Sequence, residues 1–210
     1  MSKYILIDLE DTITIHNDSD RIKSIMLEWL KFNCVSNPIE IYENPNFKNR
    51  STRLELLGVN EEQYKKWYQN FNDVEFKEYY KKYKNNEINI NEDTIEFIKK
   101  SKIPLILVSN SSPKWIDYIL EEYHLTKYFC YIFHRKYMLD DIKKPDKKII
   151  QLIQEELNDD ISNDSIVIGD SIIDYKFALN CGLNFIGVYN KIEDTIHFNN
   201  FKELYNYINK

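Results

Sequence analysis

Residues 4–8, YILID, are a short unbroken apolar run closed by a carboxylate. That is the pattern of a strand buried on both faces of a parallel sheet. From about Asp18 the period lengthens. Ile22, Ile25, Met26, Trp29 and Leu30 recur at helical spacing behind an Asp18 or Ser19 helix cap, and Asn37-Pro38 stops the pattern. A second helical piece, Ser51 to Leu57, ends at Gly58, suited to the left-handed turn after a helix. Tyr64, Trp67, Tyr68 and Phe71, then Val74, Tyr79, Tyr80 and Tyr83, carry an aromatic helical stripe to about Lys84. Residues 14–88 therefore read as all-helical, and the stripes as packing between those helices.

Beyond residue 88 the grammar alternates. Helices are predicted over 91–100, 113–124, 146–157, 173–180 and 201–208, with strands over 104–109, 129–133, 165–169 and 184–189 between them. Strands alternating with helices predict an α/β fold, a doubly wound parallel sheet with crossovers on both faces. The first strand belongs to that sheet, so residues 1–13 and 89–210 form the core and residues 14–88 an inserted helical lid.

Composition narrows the class. A chain of 210 residues with 43% hydrophobic content can bury one substantial core plus a smaller unit. No stretch nears the roughly 20 apolar residues that span a bilayer, and the start MSKYILIDLEDT lacks the basic opening and cleavage site of a secretory signal, so a cytoplasmic location is expected. Cys34, Cys130 and Cys181 are scattered, without disulfide or zinc spacing, and read as buried bystanders. A net charge of −6 argues against nucleic acid or an anionic membrane as partner, but leaves a small anionic substrate open. Oligomeric state has no signature.

Chemistry collects at the strand ends, where ligands gather in open parallel sheets. The first strand delivers Asp8 and Glu10 in DLEDT, the second Ser109 and Asn110 in ILVSNSS, and the fourth Asp170 and Asp174 in IVIGDSIID. Lys144 precedes Pro145 in DDIKKPDKK, with Lys143 beside it as the alternative lysine. In this order the motifs resemble those of the haloacid dehalogenase superfamily, a large group of mostly magnesium-dependent phosphatases: DLEDT (8–12), VSN (108–110), KKP (143–145) and GDSIID (169–174). The resemblance implies a Rossmann-like core with an inserted cap, Mg²⁺ as cofactor and a small phosphorylated metabolite as substrate. It further implies Asp8 as nucleophile, forming an aspartyl-phosphate, and Glu10 in the general acid and base position.

The residue types suit that chemistry. Asp8 and Glu10, two apart on extended chain, share a side, giving one carboxylate for attack and one for proton transfer. A hard divalent cation could take oxygens from Asp8, the Glu10 carbonyl and Asp170, with Asp174 steadying it directly or through water. Ser109, with main-chain N–H groups around Glu10 to Thr12 and at Asn110, could hold phosphoryl oxygens, and Thr12 would shape the turn. Lys144 would neutralise Asp8 and the transferring group.

One residue departs from the pattern. The second acid is Glu10 where the superfamily's phosphatases carry aspartate, which moves the carboxyl group by roughly 1 to 1.5 Å and puts proton transfer at issue. A catalytically impaired phosphate-binding or regulatory protein is thus the alternative, with nucleotidase and phosphomutase as variants of the enzyme reading. Asp11, where the family often has glycine, reads as a turn residue. Asp170 and Asp174 could also be a helix cap and first-turn acid. Arg50 and Arg53 read as a solvated face, and His16, His124, His134 and His197 as residues without a role.

Overall fold

The computed structural model describes residues 3–17, 21–48, 50–135 and 142–209; the Asp18 or Ser19 helix cap and the Arg50 side chain fall outside what it describes. The chain divides into two compact units, Met1–Ile15 with Asn89–Lys210, and His16–Ile88. Strand β1 (Ile5–Ile7) opens the first unit. Strands β2 (Thr14–His16) and β3 (Ile88–Ile90) pair with each other at the points where the chain leaves that unit and returns. The expectation of an all-helical 14–88 is corrected there: each strand has three residues, too few for an alternating pattern to register.

Strands β4 (Leu105–Ser109), β5 (Phe129–His134), β6 (Ile166–Gly169), β7 (Asn184–Val188) and β8 (Ile196–Phe198) join β1 in one sheet of order β5-β4-β1-β6-β7-β8. Every neighbouring pair is parallel. β1, β4 and β6 are buried along their whole length, as their unbroken apolar runs require. Leu6, Ile106, Val108, Phe133 and Val167 from the sheet pack into one buried cluster with Ile149, Ile153, Phe177 and Ala178. Each such side chain is worth about 1.5 to 3 kcal/mol. The last four lie on α1 (Lys148–Leu157) and α2 (Ile172–Cys181), two of the helices that alternate with the strands.

In the His16–Ile88 unit, Trp29 is fully buried, with Tyr64, Tyr68 and Phe71 edge-on at 5.8, 5.8 and 5.9 Å and its indole N–H donating to the Trp67 carbonyl at 3.0 Å. Most of the aromatic stripe therefore packs into this unit's core, while Tyr80 stays exposed. Arg53 is not a solvated face: it donates to the Phe47 carbonyl at 2.7 Å and the Tyr64 hydroxyl at 2.9 Å, and its guanidinium lies 4.8 Å from the Phe47 ring centre. The cysteines are free, but Cys34 and Cys130 are exposed and Cys181 is half-buried, so they are not the buried residues expected. Cys34 follows a helix at φ 56, and Cys130 lies on the outward face of a strand.

Asparagine does in this chain what glycine and serine do elsewhere. With only four glycines available, Asn37, Asn86 and Asn158 occupy the left-handed region at φ 53, 59 and 49. Asn60, Asn91 and Asn200 cap helices by accepting N–H bonds from residues three further on. Among the described residues no helix is long and apolar enough to cross a membrane.

Candidate active site

The strand order places β1 between β4 and β6, where the winding direction of the sheet reverses, so the ends of these three strands share one edge. Asp8 leaves β1 with its N–H donating to the Ile168 carbonyl at 3.0 Å, which ties it to β6. The chain then turns sharply. The Leu9 carbonyl accepts N–H bonds from Ile13 and Thr14 at 2.8 and 2.9 Å, and Asp11 takes φ 54, a conformation that glycine or a short polar residue accepts most readily.

Lys144 stands among the acids. Its ammonium is 2.5 Å from Asp8 Oδ1 and 2.6 Å from Asp174 Oδ1, and all three side chains are at least nine-tenths buried. Asp8, Asp170 and Asp174 each offer a carboxylate oxygen, and these oxygens lie within 4.8 Å of one another. These three carboxylates and the Lys144 ammonium together carry a formal surplus of two negative charges in a buried place. Protonation shows the strain of that surplus. Burial pushes the Asp8 carboxyl well above its ordinary value; Lys144 pulls it back, while Asp174 and Asp170 push it further up. Burial works against the Lys144 ammonium, but its charge pairs and hydrogen bonds with Asp174 and Asp8 outweigh it and hold the lysine protonated. The donor set is all oxygen and its negative charge matches a hard dication, so it fits Mg²⁺ better than a softer metal.

The other expected residues fall around this cluster. Asp174 is the third helical residue of α2 and forms a capping box with Ser171, whose N–H and hydroxyl donate to Asp174 Oδ2 at 3.2 and 2.5 Å. It thus serves as first-turn acid and lysine partner at once, while Ser171, not Asp170, is the helix cap. Asp170 Oδ2 accepts from Asn190 Nδ2 at 3.0 Å. Glu10 is buried, but its carboxylate is not one of the three-acid cluster. Its Oε1 accepts from the Ser111 hydroxyl and its Oε2 from the Thr14 hydroxyl at 2.8 Å. Ser109 Oγ accepts the Ser111 N–H at 3.1 Å at the fully buried end of β4. Thr12 is fully buried, its carbonyl accepts the Thr94 hydroxyl at 2.8 Å, and its own hydroxyl makes no hydrogen bond. Asn110 directs its carboxamide at the main chain of Lys144. Sequence reasoning missed Thr14, Ser111 and Asn190. Ser111 stands inside a quoted motif; the other two carry no local signal.

Gly169 explains itself at this site. A β-carbon there would stand 2.5 Å from Asp174 Cγ, so the absence of a side chain lets the carboxylate pass. Gly169→Ala is expected to displace Asp174 and destabilise the fold by about 1 to 3 kcal/mol, read by thermal unfolding.

The sequence matches haloacid dehalogenase-like hydrolases over residues 5–188. The chain belongs to that family. No curated protein matches it. Among solved structures, a predicted phosphatase from Clostridium acetobutylicum is 23% identical with TM-score 0.65, covering 99% of this chain and 98% of its own. The HAD hydrolase YfnB of Bacillus subtilis, solved with bound magnesium, is 15% identical with TM-score 0.61, covering 100% and 99%. CbbY of Rhodobacter sphaeroides, solved with phosphate, is 16% identical with TM-score 0.64, covering 97% and 96%. At such identities these likenesses establish the shared fold.

Proposed function

We propose that this haloacid dehalogenase-like hydrolase is a Mg²⁺-dependent phosphomonoesterase that acts on a small phosphorylated metabolite through an aspartyl-phosphate. The observation that carries the reading is Lys144 shared between Asp8 and Asp174 with Asp170 beside them, three buried carboxylates gathered about one lysine. The phosphatase and the phosphate and magnesium complexes among its structural relatives support the same reading.

Asp8 attacks phosphorus in line with the ester oxygen, forming the new P–O bond as the P–O bond to the leaving alkoxide breaks. Asp8 Oδ1 is held by Lys144, which favours the ionised carboxylate against its burial and aims it. Glu10 gives a proton to the leaving oxygen. As a carboxylate it then takes a proton from the water that attacks the phosphoenzyme, releasing inorganic phosphate and restoring Asp8. Ser109, the turn from Glu10 to Thr12 and the main chain at Asn110 hold the phosphoryl oxygens. Magnesium, held by Asp8, the Glu10 carbonyl and Asp170 with Asp174 direct or through water, would supply the charge that lets two anions meet.

The Glu10 departure is built into the site, because hydroxyls of Ser111 and Thr14 receive the longer side chain. Glu10→Asp draws the carboxylate back by roughly 1 to 1.5 Å and takes it from both hydroxyls. Turnover of p-nitrophenyl phosphate with Mg²⁺ is expected to fall about a hundredfold in that variant. A sharp rise instead would identify an impaired phosphate-binding or regulatory protein. Inactivity of the native chain on a broad panel of phosphomonoesters, sugar phosphates and nucleotides included, would falsify the phosphatase reading.

A further inference from the structure

Lys144 lies on a connecting segment, ahead of the helix that begins at Lys148 and outside the sheet ladders, yet its ammonium must stand in one place between two carboxylates. A long side chain on irregular backbone has no reason to stay there. The structure supplies one. Asn110 Oδ1 accepts the Lys144 N–H at 2.7 Å, and Asn110 Nδ2 donates to the Lys144 carbonyl at 3.1 Å. One carboxamide thus satisfies both main-chain groups of a residue 34 positions away, as the partner strand of a sheet would. Asn110 itself follows directly on β4, whose five residues are all buried.

We infer that Asn110 is a positioning residue that fastens the Lys144 main chain to the rigid end of β4, so that the ammonium is fixed between Asp8 and Asp174. Its side chain acts through Lys144 and not by contact with substrate. The catalytic consequence rests on the phosphatase reading; the brace itself does not. Two bonds hold the lysine because one would leave a pivot: a single acceptor fixes a distance, whereas an acceptor and a donor together fix the orientation of the peptide from which the side chain departs.

The test uses Asn110→Ala and Asn110→Asp in the full chain. Alanine removes both bonds. Aspartate keeps the acceptor but sets an oxygen against the Lys144 carbonyl, so it should resemble alanine and not the native protein. Both are expected to lower kcat on p-nitrophenyl phosphate about 10- to 100-fold, with KM within about twofold of native. Residue-resolved hydrogen exchange should show the Lys144 amide exchanging about tenfold faster or more in Asn110→Ala, while β4 and β6 amides keep their protection. Unchanged kcat, or a raised KM with kcat retained, overturns the inference in favour of a substrate contact. An unchanged Lys144 amide in Asn110→Ala overturns it outright. If the native chain hydrolyses nothing, the phosphatase reading fails, and exchange at Lys144 alone decides whether Asn110 is its brace.

Discussion

Asp8→Asn is expected to abolish turnover, by about 10⁴-fold or more, while raising the melting temperature of the metal-free protein. The loss follows because an amide cannot form the acyl-phosphate bond. The gain follows from burial, the largest influence on Asp8, which holds its folded-state pKa well above the reference value of 3.8. A raised carboxyl pKa means folding favours the protonated form: its stabilising contribution is complete below the unfolded value and is lost as pH rises through the folded one. At neutral pH the ionised, buried Asp8 is therefore a cost. Asparagine removes it at nearly constant shape, and Lys144 keeps Asp174 at 2.6 Å. Each unit of pKa difference corresponds to about 1.4 kcal/mol, or about 3 to 6 °C in a chain of this size. The measurement is calorimetry in a chelating buffer at several pH values. The advantage of the variant should be largest near neutrality and shrink as acid protonates the native Asp8. A less stable variant at pH 7 would contradict the electrostatic account of the site.

Lys144→Met should have the opposite effect on stability. Removing this ammonium leaves Asp8 and Asp174 beside Asp170 without it in a buried place, and breaking a buried ion pair from one side costs about 3 to 5 kcal/mol. The expected fall in melting temperature is about 6 to 20 °C without metal. Saturating Mg²⁺ should recover part of it, since a dication stabilises the acids that the lysine no longer neutralises. Turnover should drop about 10²- to 10³-fold even with metal bound, because charge is then missing where the phosphoryl group develops it. Adding Asp8→Asn to Lys144→Met should cost less stability than the single change, a coupling that a double-mutant cycle reads directly.

The core sheet was legible because its strands are short apolar runs with polar ends; Leu105–Ser109 and Ile166–Gly169 lie within a residue of the expected spans. The closing helix, Phe201–Ile208, agrees at both ends, since Asn200 starts it with a side-chain cap. What escaped was short or held by tertiary contact. Ile196–Phe198 is a three-residue edge strand, half exposed, with no run to announce it. The first helix already ends at Phe32, and Asn37-Pro38 instead starts another, Pro38–Glu43, because proline at the first helical position loses no bond.

The same division holds at the site. Asp8, Ser109, Lys144, Asp170 and Asp174 stand in motifs and could be named from order along the chain. The groups that orient them could not. Ser111 meets Glu10 across 101 positions, Asn190 meets Asp170 across 20, and the Asn110 carboxamide meets Lys144 across 34. Such pairs exist only once the sheet has brought its strand ends together. Sequence chemistry names the charges; folding decides which neighbours hold them.

The central claim is that Asp8 accepts a phosphoryl group at a cluster which needs a dication. A rapid-quench single turnover on a phosphomonoester, followed by borohydride reduction and peptide mass mapping, tests it directly. The account predicts reduction of the side chain at residue 8, present with Mg²⁺ and absent when a chelator is added. Substrate consumed with Asp8 unmodified, or a phosphoryl group found on a different residue, would contradict it.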